Sequence, residues 1–138
     1  MRGQWEVEGM LDSYRRERLE VEGEDSGLSL AVADGPLKRA RGLLGQRHVP
    51  QGEGLLLVPC DSIHCLGMSV TIDVVYVRSD DRRDMAGTVI LAETVRPGRI
   101  GTNPRGTSMV IELAQGAAEA AGLAPGASVR LARVPGLV

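Results

Sequence analysis

Mainly β is the fold class that the sequence predicts, as one small jelly-roll-like barrel or sandwich carrying two short helices. Three observations lead there. Short runs alternate apolar with polar residues, the period of a half-buried strand. Clusters rich in Gly, Pro, Asp and Ser separate those runs. The chain has 138 residues, one domain's length, and its hydrophobic content of 43% suffices for a single core. That core has to be aliphatic, because Trp5, Tyr14 and Tyr76 are the only aromatics and Phe is absent.

The elements follow in chain order. Residues 1–25 hold eight acids against four arginines and keep no hydrophobic period for long. They are expected to form an acidic, mobile N-terminal segment, with "QWEVE" as a candidate edge strand. Residues 26–134 are expected to be the single β-rich domain, and 135–138 a C-terminal tail. "LSLAVA" alternates as a strand. "DGPLKRARGLLG" predicts a short helix: Asp34 can accept from first-turn N–H groups, and Pro36 sits where its missing donor costs little. Leu37, Ala40 and Leu44 share one face of it, and Gly45 can end it. "VPQGEG" is a turn, and "LLLV" reads as a strand covered on both faces.

"MSVTIDVVYVR" is the strongest strand signal, with Val70, Ile72, Val74 and Tyr76 on one face and Thr71, Asp73, Val75 and Val77 on the other. "GTVILAETV" and "SMVIEL" are further strands. Between them "RPGRIGTNPRGT" has too much Gly and Pro for regular structure. "GAAEAAG" predicts a one-to-two-turn helix stopped by Gly122, and "SVRLARV" a closing strand.

Composition excludes some functions. The net charge of −2 gives no broad electrostatic reason to bind nucleic acid or an acidic membrane. Lys38 is the only lysine, and so uniform an arginine bias is not itself a phosphate-binding signal. No apolar run reaches the roughly 20 residues of a membrane helix, and "MRGQWEVEGM" lacks a basic-then-apolar export pattern. A cytoplasmic location is therefore expected, with Cys60 and Cys65 as free thiols or ligands rather than a disulfide.

The order of "VADGPLKRARGLLGQ", "GEGLLLV", "CDSIHCLGMSVTIDVVYV", "VRPGRIG" and "MVIELAQGAAEAAGLAPGASVRL" resembles the bacterial and archaeal family called domain of unknown function 192. The resemblance runs over roughly residues 28–131. It implies a small β-rich, jelly-roll-like barrel with short helices, and no established activity. The matching residues are Arg39, Arg41, Gly42, Leu43 and Gly45, then His64, Gly67 and Met68, then Ile72 and Asp73. The chain departs from the usual pattern at Gly98, where an aromatic is common, and at Cys65, Gln46 and the Ala114–Gln115 position.

The chemistry concentrates in "CDSIHCLGM", residues 60–68. Cys60, His64, Cys65 and Met68 are ligand types that suit Cu(I) or Zn²⁺. Successive residues of a strand point to opposite faces, however, and no second cluster completes a closed site. The same residues equally fit two buried thiols and a satisfied histidine. A thiol nucleophile beside His64 has the right residue types, yet sequence adjacency does not place them together. Ser62 and Ser108 lack a nucleophile elbow.

Asp73 carries the other signal. A lone carboxylate in an apolar strand is costly to bury, so an inward Asp73 needs a partner. Arg39, Arg41 or His64 are candidates, and such a pair serves equally to tie helix to sheet. Arg96, Arg99 and Arg105 lie among glycines in a loop whose amides and guanidinium groups suit an anion. His48 reads as a polar residue near the predicted helix end. The expected function is a non-enzymatic binding module for a small, anionic ligand or a protein partner. Its pocket would be bordered by Arg41, His64, Met68, Asp73 and Arg96, with no cofactor. The alternative is soft-metal binding through Cys60, His64, Cys65 and Met68.

Overall fold

In Arg16–Val21, strand β1, Leu19 and Val21 are buried while Arg16, Arg18 and Glu20 stay partly exposed. Period-2 alternation of this kind makes a strand with one dry face. The computed structural model describes residues 14–35, 48–58, 70–81 and 85–133. Six more strands follow: β2 Glu24–Ala33, β3 Glu53–Leu57, β4 Ile72–Asp81, β5 Ala86–Val95, β6 Met109–Ala114 and β7 Ser128–Arg133. One short helix, α1 (Ala117–Ala120), lies between β6 and β7. The strands close into a barrel in the order β1-β2-β3-β6-β4-β5-β7, with β7 returning to β1.

Every neighbouring pair is antiparallel except β2 with β3. A parallel pair needs a long crossover rather than a hairpin, and residues 34–52 span that connection.

Register identifies the inner face. Leu19 stands opposite Leu28, and Leu30 opposite Gly54; Gly54 faces Leu113, and Leu113 faces Asp73. Partners across a ladder share a face, so Asp73 belongs to the barrel's inner layer beside Leu30 and Leu113. At Gly54 this layer is too crowded for a side chain. An added Cβ would stand 2.5 Å from Leu113 Cδ2 and 2.7 Å from the Glu112 carbonyl oxygen.

The outer face of three strands is buried as well. Leu55 and Leu57 on β3, Val74 and Tyr76 on β4, and Val110 and Glu112 on β6 are each almost wholly buried. The reading of "LLLV" as a strand covered on both faces holds for β3. Tyr76, completely buried, is the largest side chain of this layer, and its hydroxyl donates to Glu93 Oε2 at 2.6 Å. A buried Tyr needs such a partner.

The mainly β expectation is met, as a closed seven-stranded barrel. α1 realises the "GAAEAAG" prediction, whereas the helix expected in "DGPLKRARGLLG" lies largely outside the described residues. One boundary moves. Residues 16–25 belong to β1 and the start of β2 rather than to a mobile segment, so the barrel begins well before residue 26. The charges of "RERLEV" hid its period: Arg16, Arg18 and Glu20 lie on the wetter face, while Glu17 is buried on the same face as Leu19 and Val21. Among the described residues no helix is long and apolar enough to cross a membrane.

Candidate functional site

At the α1 end of the barrel the chain solves the problem of a buried carboxylate. Asp73 is 4% exposed and sits second in β4. Its Oδ2 accepts from the Gly116 N–H at 2.9 Å and the Ala118 N–H at 3.1 Å, while Oδ1 accepts from the Thr94 hydroxyl at 2.9 Å. The amides at the start of a helix have no partner within it, so a carboxylate there satisfies two needs at once. Gly116, the N-cap residue, has φ 90° and no side chain with which to cap. Asp73 supplies that cap from another part of the chain.

This is where the structure differs from the sequence expectation. Among the described residues, Asp73 is met by backbone amides and a hydroxyl, not by a cation. Arg39, Arg41 and His64, the partners considered from sequence, lie outside the described residues. So do Met68, Cys60 and Cys65. Among the described residues no group of three or more His, Cys, Asp or Glu side chains could hold a metal ion. Arg96 is described: it is exposed and directly follows Val95, which pairs with Ile72. Asp73 and Arg96 therefore share one end of the barrel, although Arg96 does not line the groove beside Asp73.

That groove, about 530 Å³, runs between β5 and the segment after β6. Ala92, Glu93 and Thr94 form one wall; Gln115, Gly116, Ala118, Glu119 and Gly122 to Pro125 form the rest, with Asp73 at the base. Its ionisable lining residues are Asp73, Glu93 and Glu119. Glu93, opposite Val74, turns its carboxylate to the outer face towards Tyr76 and Thr102, so the groove's acidic side chains are Asp73 and Glu119. A smaller hollow of about 290 Å³ lies past Gln115, lined by His48, Val49, Gln51, Val70, Thr71 and Ala114 as well. Gln51 Nε2 donates to the Gln115 carbonyl at 3.3 Å, tying the turn before β3 to the α1 approach. His48, read from sequence as a helix-end residue, is thus part of a surface hollow.

Glu93 anchors the arginine-bearing loop. Its Oε2 accepts from the Thr102 N–H at 2.7 Å and its Oε1 from the Thr102 hydroxyl at 2.6 Å, in addition to the Tyr76 bond. Burial pushes the Glu93 carboxyl up, but the Thr102 and Tyr76 hydrogen bonds outweigh it and hold it below the usual glutamate range. The loop pinned in this way presents exposed Arg96, Arg99 and Arg105 around Ile100, which is 69% exposed.

Sequence reading found Asp73 and the arginine loop but missed Thr94, Gln115, Glu119 and the structural role of Glu93. The cross-strand pair of Thr94 with Asp73 depends on register. Gly116 and Ala118 lie more than 40 residues from Asp73, and a backbone amide has no residue type to recognise.

A seven-stranded barrel, a tertiary cap on a single-turn helix and an open acidic groove define a class of small β-barrel proteins with a preformed terminal groove. The chain belongs to the DUF192 family, described as "Uncharacterized ACR", whose model matches residues 17–131. Two solved structures share the fold. One is a protein of Sinorhizobium meliloti 1021, provisionally described as a transcription regulator, with 19% identity, a TM-score of 0.64, and coverage of 86% of this chain and 95% of that one. The other, of unknown function, is from Novosphingobium aromaticivorans DSM 12444, with 19% identity, a TM-score of 0.56, and coverage of 81% and 82%. No curated protein matches the chain.

Proposed function

We propose that this chain is a non-enzymatic binding module that takes a small molecule or a segment of a partner protein into the groove between β5 and α1. The observation that carries the reading is the groove of about 530 Å³ with a fixed, buried carboxylate at its base. That volume lies within the range of small-ligand sites, which join a largely apolar wall to a few fixed polar groups. Both oxygens of Asp73 are engaged in holding Thr94 and α1. The carboxylate is thus a preset acceptor held in one position at the base of the groove.

The acidic lining favours an occupant that donates hydrogen bonds or carries positive charge. The anion expected from sequence fits a different place, the loop of residues 96–107, where Arg96, Arg99 and Arg105 are exposed and the backbone is pinned through Thr102. A titration followed by backbone amide NMR separates the two. L-argininamide is expected to move the Thr94, Gly116 and Ala118 amides, and inorganic phosphate those of the arginine loop. If argininamide leaves the groove amides unmoved, the groove is not the binding site.

A further inference from the structure

The barrel is closed only at one end of β5. β5 pairs with β7 over Ala86, Gly87 and Thr88, and Val89 adds bonds to Ala127 and from Gly126. On its other side β5 stays paired with β4 as far as Val95. Beyond Val89, among the described residues, no strand covers the side of β5 that faces away from β4.

The register explains why the seam parts. Tyr76 is opposite Leu91 and Val77 opposite Val89, so Ile90 is an inserted residue. A bulge bends its strand and shifts the alternation by one. From there on, the N–H and C=O groups of Ala92 and Thr94 point away from β4. The Thr94–Asp73 pair agrees: cross-strand side chains come closest at a non-hydrogen-bonded pair, and these two are hydrogen-bonded at 2.9 Å. The groove wall on this side is Ala92, Glu93 and Thr94, the open edge itself.

We propose that the groove takes an extended, basic segment of a partner protein, added as an extra strand to the β5 edge at Ala92–Thr94. The proposal rests on the binding reading above and names its occupant. An exposed strand edge is a template for another strand. From strand rise, strand spacing and sheet separation, a strand fills roughly 160 Å³ per residue. A groove of about 530 Å³ therefore takes three residues or so, matching the three edge residues. Side chains of the added strand on the Thr94 side meet Asp73 at the base, and Glu119 on α1 flanks them.

The acidic lining selects Lys or Arg at those positions. It also disfavours a second copy of the chain, since pairing β5 with its own copy would bring two acidic grooves together.

The test uses the full chain and three synthetic peptides: acetyl-Arg-Val-Arg-Val-Arg-amide, the same peptide N-methylated on alternate residues, and its Glu counterpart. The basic peptide is expected to bind and to slow hydrogen exchange at the Ala92 and Thr94 amides. N-methylation removes strand donors and is expected to weaken binding about tenfold. The Glu peptide is expected not to bind. Glu119→Arg, an exposed change, is expected to weaken the basic peptide about threefold.

Equal binding of the methylated and unmethylated peptides, or no added protection at Ala92 and Thr94, overturns strand addition. If argininamide still moves the groove amides in that case, the binding module stands without this occupant; if it does not, both readings fall.

Discussion

At the scale of single residues, two carboxylates organise this end of the molecule by different means. Asp73 is buried and would be costly if left alone, yet two helix-start amides and one hydroxyl are enough to hold it. Glu93 is more accessible and gathers a threonine's amide and hydroxyl together with a buried tyrosine's hydroxyl. Because these bonds lower its folded-state pKa, the stability they give is present above the ordinary glutamate value near 4.5 and is lost as pH falls through the depressed folded value. Acid unfolding monitored by circular dichroism checks this. Glu93→Gln is expected to lower stability at neutral pH and to flatten its decline on the acid side of 4.5, whereas an unchanged acid limb would contradict the account. The need for Asp73 to find a partner was legible in the sequence, because an acid among valines raises the question by itself. The partner was not legible, because it is a peptide group brought close only by the packing of α1.

Among the elements, those with a clean period could be read directly. β2 and β4 lie where alternation placed them, β5, β6 and β7 lie in runs read as strands, and the two faces assigned within "TIDVVYV" are the two faces that register assigns. β1 was obscured because Arg16, Arg18 and Glu20 fill its wet face and Glu17 is buried beside Leu19 on the other, so composition spoke louder than period. The Ile90 bulge left no mark in the sequence, since it is a property of two strands together. Gly54 is a different case: within β3 it reads as a turn residue of "QGEG", while in the barrel it is the point where Leu30 and Leu113 close over the sheet. Gly54→Ala is expected to destabilise by about 1–3 kcal/mol, because the 2.7 Å approach to the Glu112 carbonyl is to backbone that cannot rotate away. Denaturant unfolding with an unchanged m-value would measure it. A neutral Gly54→Ala would mean that the inner layer is looser than the register implies.

For the whole molecule, closure of the barrel leaves one place where a strand edge, a helix start and a charged group meet. The seam between β5 and β7 ends early, α1 is fastened a few ångströms away, and the groove lies between them. Asp73 is the link: it belongs to the barrel wall and caps the helix that forms the opposite bank. Sequence reading located this end of the barrel through Asp73 and Arg96 but had no means of drawing the groove, whose walls come from three separated segments. Backbone hydrogen exchange on Asp73→Asn tests the link most directly. The Gly116 and Ala118 amides are expected to exchange about fivefold faster or more in the variant, as charge-assisted bonds become neutral ones, while β2 and β6 amides keep their protection. Unchanged exchange at Gly116 and Ala118 would contradict the claim that this carboxylate fastens α1 to the barrel.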